Sequence, residues 1–188
     1  MTIVKPEISK ASGLSVSERI VSMLYYDQGT GVFRWRERPR DHFGNGCVWR
    51  RWNTRYVGKV AGSPNNKGYI IISIDSMKYY AHRLAWLCVT GLWPSEQIDH
   101  INGARDDNRF SNLRAATHGE NKRNSKRQRN NTAGLKGVSW HRRQQCWRSQ
   151  IQINGCKCHL GSFPTPEAAH TAYCLAAARF HGEFARFQ

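Results

Sequence analysis

The sequence predicts an α+β protein built from two modules, and three observations carry that expectation. A strand, a loop, a second strand and a helix are compressed into about 30 residues around Ile98 to Asn121. Immediately afterwards no Asp or Glu occurs between Asn121 and Pro166, whereas ten Lys or Arg do. Beyond Gly134 three strand-like runs are followed by a single alanine-rich helix. The boundaries read as a loose tail over 1–14, a first module over 15–123, a basic linker over 124–134 and a second module over 135–188.

Charge narrows the class of partner. The chain has 29 Lys and Arg against 13 Asp and Glu over 188 residues, a formal net charge of +16, which attracts polyanions. Nucleic acid is the leading partner. A membrane surface is the rival, but no apolar run approaches the roughly 18 residues needed to span one, and no basic amphipathic helix is evident. Met1 to Ser12 lacks the apolar stretch of a secretory signal, so an intracellular, cytoplasmic location is expected. Six scattered cysteines read as reduced thiols. Cys156 and Cys158 are one residue apart, as alternating strand positions are, so no structural zinc is expected. No obligatory protein partner is evident.

Taken in order, Ser15 to Leu24 reads as a short helix, with Ile20, Val21 and Leu24 at helical spacing. Asp27 to Gly31 is a turn, and Val32 to Arg36 alternates like a strand. The Arg-rich and Trp-rich stretch up to Val57 gives no assignable structure. Gly58 to Tyr80 reads as a hairpin with turns at Pro64 to Gly68 and Asp75-Ser76, then a helix runs from Ala81 to Val89 and stops at Gly91 and Pro94. Thr117-His118-Gly119-Glu120 fits the S/T-x-x-E capping box, so a helix should begin there, with Asn121 in its first or second turn and Leu113 to Ala116 as the strand leading in. In the second module the strands are Gly137 to Arg142, Cys146 to Ile153 and Cys156 to Phe163, the last two joined by Asn154-Gly155. Thr165 caps a helix that starts at Pro166 and ends before Gly182, with Ala168, Ala172 and Ala176 as the small face against the sheet.

The chemistry concentrates in Asp99-His100, Asn112 and Asn121. Phosphodiester hydrolysis needs a base to activate water, a cation to neutralise a phosphorane-like transition state and a positioned leaving oxygen. His100 titrates near neutrality and suits the base. One carboxylate plus one amide oxygen suits Mg²⁺, which keeps its other positions for water and phosphate. His82 could approach this group but reads more readily as a core histidine satisfied by backbone, His118 reads as a helix-start residue, and Asn102 and Asn108 as turn formers rather than ligands.

Lys67-Gly68-Tyr69, Tyr80-Ala81-His82-Arg83-Leu84-Ala85-Trp86, Asp99-His100-Ile101-Asn102-Gly103, Asn108, Ser111-Asn112-Leu113-Arg114 and Glu120-Asn121 resemble the HNH nucleases, in particular their phage and intron-encoded homing branch. The resemblance covers roughly residues 15 to 125. It implies a ββα-metal fold, His100 as general base, Asp99 and Asn121 as ligands of Mg²⁺ or Mn²⁺, and Asn112 as the residue that braces the loop and orients the histidine.

Gly137-Val138, Trp147, Ile151, Leu160 to Phe163, Thr165, Glu167 to Ala169, Ala172-Tyr173, Ala176-Ala177 and Gly182 look like the AP2 domain of plant-type transcription factors. This second resemblance implies that Lys136, Ser139, His141, Arg142, Arg148, Gln150, Gln152, Lys157 and His159 face DNA. Gln150 and Gln152 share one strand face and are suited to adenine edges. Trp140 and Trp147 read as core or rim aromatics. The function expected is a metal-dependent endonuclease acting on double-stranded DNA, as a freestanding phage homing enzyme. The rivals are a non-enzymatic DNA-binding regulator and an RNA-binding protein.

Overall fold

The computed structural model describes residues 15–127 and 130–187. Its contacts divide the chain between Ala115 and Ala116. The tail expected over 1–14 lies outside the described residues, as do positions 128–129 of the expected linker.

In the first unit, Ser15 and Glu18 form a reciprocal capping box that starts α1 (Val16–Ser22). The helix stops short of the Leu24 expected from spacing. Leu24 instead opens β1 (Leu24–Tyr26), which pairs antiparallel with β2 (Phe33–Trp35), Leu24 opposite Trp35. The aromatic run Tyr25-Tyr26 suits a pleated strand, and the turn at Asp27 to Gly31 brings its partner back, so ladder pairing wins over another helical turn.

The stretch without assignable structure contains α2 (Gly46–Tyr56), capped by Asn45, whose side-chain oxygen accepts from Cys47 N at 2.7 Å. Trp49, Trp52, Asn53 and Tyr56 fall at i, i+3, i+4 and i+7, and this face makes the contacts. Trp49 Nε1 donates to Arg38 O at 2.8 Å, and Asn53 brackets the same peptide, accepting from Arg38 N and donating to Arg38 O, both at 3.1 Å. The Trp52 ring meets Trp35 edge-on at 5.4 Å. Arg38, itself buried, donates to Asp75, which also accepts from Arg19.

β3 (Ser63–Pro64), β4 (Ile70–Ile74) and β5 (Met77–Tyr80) form an antiparallel sheet in that order, so the expected hairpin gains a third strand. Asp75 and Ser76 both adopt positive φ in the tight turn between β4 and β5. α3 (Ala81–Thr90) ends at left-handed Gly91 and buries Ala81, Leu84, Ala85 and Leu87 against Ile20, Met23, Phe33, Ile72 and Ile98. Each large apolar side chain so enclosed contributes about 1.5 to 3 kcal/mol. β6 (Gln97–His100) and β7 (Leu113–Ala116) pair with each other and leave the intervening loop to be held by its own polar groups.

The division of contacts falls inside β7, upstream of the 123/124 boundary expected from sequence. The second unit therefore begins with α4 (His118–Arg123), where Thr117 and Glu120 form the expected capping box. β8 (Val138–His141), β9 (Cys146–Ile153) and β10 (Cys156–Phe163) make an antiparallel sheet with β9 central and a bulge between His159 and Gly161. α5 (Pro166–His181) covers one face. Its contact stripe is rotated from the expected Ala168, Ala172 and Ala176. Ala169, Tyr173, Ala176, Ala177 and His181 are the buried residues, and the Tyr173 ring lies over Gly137, where a Cβ would come within 2.1 Å of it. No helix among the described residues is long and apolar enough to cross a membrane.

Candidate active site and a polar sheet face

β6 delivers Asp99 and His100 together, both buried. Asp99 Oδ2 accepts from Arg114 Nε at 3.0 Å and Nη2 at 2.9 Å. Antiparallel pairing explains the meeting, since it sets Arg114 of β7 beside the end of β6. The paired cation offsets part of the cost of burying the carboxylate.

His100 Nε2 lies 3.3 Å from Asn108 Oδ1. Asn108 is buried, and its Nδ2 donates to Asp106 O at 3.1 Å, which turns its oxygen toward the imidazole. An oxygen facing Nε2 favours the tautomer that carries its proton there. Burial lowers the pKa of His100, against the opposing effects of Asn108 and Asp99, so the ring is neutral at pH 7.

The loop between β6 and β7 is a network of amides. Asn112 Oδ1 accepts from Asn102 N at 3.0 Å, while its Nδ2 donates to Asn102 Oδ1 at 3.1 Å and to Asp107 O at 2.8 Å. Ile101 N donates to Asn112 O at 2.9 Å. Asp107 is held at a pKa of about 2 by its hydrogen bonds with Arg109, so it stays charged within the loop. The β1–β2 hairpin presses on this loop from outside: Tyr26 Oη donates to Asn108 O at 2.7 Å, and a Cβ on Gly31 would come within 2.4 Å of Arg109 N.

Two residues near His100 differ from their sequence reading. Asn108 is not only a turn former, because its side chain contacts the imidazole. His82 is not satisfied by backbone at Nδ1, which is buried without a hydrogen-bond partner. Its ring meets His100 edge-on at 5.1 Å and Tyr69 at 5.4 Å. The Tyr-Ala-His run at Tyr80 was the available signal for His82. Burial pushes His82 down to about 3 from the ordinary 6.5. An unfolded chain binds a proton at His82 that the folded chain refuses, so stability is full above pH 6.5 and declines as pH falls toward 3. The slope approaches about 1.4 kcal/mol per pH unit. Urea unfolding at pH 7 and pH 5 should differ by about 2 kcal/mol from this group, and His82→Phe should remove that difference. Equal pH dependence in both proteins would refute the assignment.

Among the described residues no group of three or more His, Cys, Asp or Glu could hold a metal. Carboxylate and amide oxygens such as those of Asp99 and Asn121 are donors of the hard type that Mg²⁺ takes. Asn121 stands on α4, in the second unit, one residue past the capping box.

The sheet of the second unit sorts the other predicted positions. Val138, Ser149 and Ile151 are buried under α5. The intervening residues form the opposite face, with Ser139 beside Arg148, Gln150 beside His159 and Gln152 beside Lys157; His141 shares this face at the end of β8. Arg142 lies in the β8–β9 turn. Lys136 stands apart, with its ammonium donating to Arg123 O at 2.9 Å and Ser125 O at 2.8 Å, and burial lowers its pKa to about 8. Trp140 and Trp147 pair at 5.0 Å, with Trp140 at the exposed rim. A cleft of about 460 Å³ in the second unit is lined in part by Lys122, Arg123, Lys126, Arg127, Lys136 and Lys157.

The strand–loop–strand carrying Asp99, His100 and Asn112 lies within a segment that also matches known proteins. A family profile described as HNH endonuclease matches residues 79–123. Protein 3.8 of Escherichia phage T7 is 34% identical over 108 residues, 57% of this chain and 88% of that protein. The protein named uncharacterized HNH endonuclease L560 of Acanthamoeba polyphaga mimivirus is 33% identical over 179 residues, 94% of this chain and 86% of that protein. No solved structure matches. The chain belongs to the HNH endonuclease family, whose members are nucleases that act on DNA and generally use divalent metal ions.

Proposed function

We propose that this chain is a metal-dependent endonuclease of double-stranded DNA, a freestanding homing enzyme of a phage acting inside a bacterial host, whose AP2-like second module supplies affinity and address. The observation that carries the catalytic part is His100: buried, neutral, beside Asp99, and held through Nε2 by Asn108 so that Nδ1 is the basic nitrogen. Nδ1 takes the proton of a water whose oxygen forms the new bond to phosphorus, while the bond from phosphorus to the leaving sugar oxygen breaks and that oxygen takes a proton from solvent water. Asn112 acts as a positioning residue, because its three side-chain hydrogen bonds set the path of the loop on which Asn108 sits. Asp99 and Asn121 would hold Mg²⁺ or Mn²⁺, which supplies charge neutralisation for the phosphorane-like transition state. Arg114 fixes the Asp99 carboxylate.

For the second module, the support is the polar sheet face, turned away from α5, on which Ser139, His141, Arg148, Gln150, Gln152, Lys157 and His159 alternate with residues buried under that helix. A sheet face of this kind can meet the major groove. Lys136 and Arg142 flank it in the sequence.

The test is cleavage of phage-genomic and plasmid DNA by the full chain, with and without added Mg²⁺ or Mn²⁺, alongside a protein lacking residues 135–188. The full chain should cut only with the added ion, and the shortened protein should cut slowly and less selectively. Binding without cutting under every metal condition would indicate a DNA-binding regulator. Stoichiometric zinc surviving mild chelation would contradict the proposed metal.

A further inference from the structure

The exposed side of α2 has no role in the chemistry above, and it is the most uniformly cationic helix face in the first unit. Its inner side is fastened through Trp49, Trp52, Asn53 and Tyr56. Helical geometry then turns Cys47, Val48, Arg50, Arg51, Thr54 and Arg55 outward, and all six are exposed. Among the described residues no hydrogen bond or ion pair engages Arg50 or Arg51, and the Arg55 guanidinium rests only over the Tyr56 ring, 5.4 Å from its centre. No Asp or Glu occurs between Asp41 and Asp75 to neutralise them. Arg51 and Arg55, four residues apart, repel each other on the helix surface and cost it a few tenths of a kcal/mol. A helix that buries none of its residues fully gains nothing from that arrangement by itself. Held against the body by indole rings and by an amide bonded to both sides of Arg38, the helix presents three exposed guanidiniums outward.

We infer that α2 is a second DNA-contacting element, laying Arg50, Arg51 and Arg55 on the phosphates of the duplex independently of the sheet in the second unit. The inference rests on the proposed DNA endonuclease activity and lies outside residues 79–123 matched by the family. An α-helix is narrow enough to enter a major groove, and its rise of about 1.5 Å per residue separates Arg51 from Arg55 by about 6 Å along the axis. Arg is suited to phosphate through its planar fork of donors.

The test replaces all three in the full-length protein, R50Q/R51Q/R55Q, Gln being a comparable helix former. Each phosphate contact contributes about 0.9 to the slope of log affinity against log salt. The variant should lose about 2 to 3 units of slope and bind tens to hundreds of times more weakly near 0.1 M salt, with its saturated single-turnover cleavage rate within a few-fold of wild type. A mutation-free measurement stands beside it. Cys47 is exposed on the same face, so saturating duplex should slow its alkylation in wild-type protein. An unchanged slope in a folded variant, or unchanged Cys47 alkylation under saturating DNA, overturns the inference while leaving the nuclease reading intact. Wild-type protein that neither binds nor cuts DNA overturns both.

Discussion

His100→Ala is expected to lower the DNA cleavage rate by about 10² to 10⁴-fold, the usual worth of a positioned general base, while the dissociation constant for DNA stays within a few-fold. The two quantities separate because binding to a polyanion is dominated by cations, and His100 is neutral at pH 7 owing to its burial. A neutral imidazole contributes no counterion release. The rate should also show its acid limb below the ordinary imidazole value, since the lowered pKa keeps Nδ1 unprotonated to lower pH. Single-turnover cleavage at saturating DNA and metal, measured from pH 5 to 8, reads both expectations. A variant cutting at the normal rate under those conditions would remove His100 from the base role and leave the loop as a scaffold.

Asp99→Asn should abolish metal-stimulated cleavage, and its effect on folding should be separable from that loss. The substitution keeps the side chain's shape but removes a buried carboxylate that takes two hydrogen bonds from Arg114. Removing one member of a buried ion pair typically costs about 3 to 5 kcal/mol, because the remaining charge loses its partner. Replacing Arg114 as well, in Asp99→Asn with Arg114→Met, removes that stranded charge and should recover most of the stability. Activity should not return with it. Unfolding and cleavage measured on the three proteins decide the matter: cleavage restored together with stability would show that Asp99 serves the fold alone and that the metal is held elsewhere.

The sequence disclosed most where a single local device decides the outcome. The Asn154-Gly155 turn, with both residues at positive φ, sets the register of β9 and β10, and Thr165 with Pro166 starts α5 at the expected residue. Elements held by distant partners were less legible. α2 carries the i, i+3, i+4, i+7 pattern in Trp49, Trp52, Asn53 and Tyr56, but its anchors are indole rings and an amide bonded to Arg38, so a search for aliphatic periodicity passes over it. The inward stripe of α5 was misjudged by one residue, because the Tyr173 ring needs the space left open at Gly137. In the candidate site, Asp99, His100 and Asn112 announced themselves by residue type and offset. The contact of Asn108 with His100 did not, since it depends on the path of a loop, and the approach of His82 was legible only as the less favoured of two readings.

The β1–β2 hairpin also ties the candidate site to a distant part of the chain. Tyr26 reaches Asn108 across 82 positions of chain, and Phe110 N donates to Gln28 O at 3.3 Å. Closing so large a loop is entropically costly, and contacts of such separation form late on the folding path. The loop carrying Asn108 is therefore expected to settle after the first hairpin has docked, and a chain missing that hairpin should fold its strands yet leave Asn108 mobile beside the histidine. For grafting, the 79–123 segment is not a portable cassette, because part of what stiffens it is donated from the far end of the same unit.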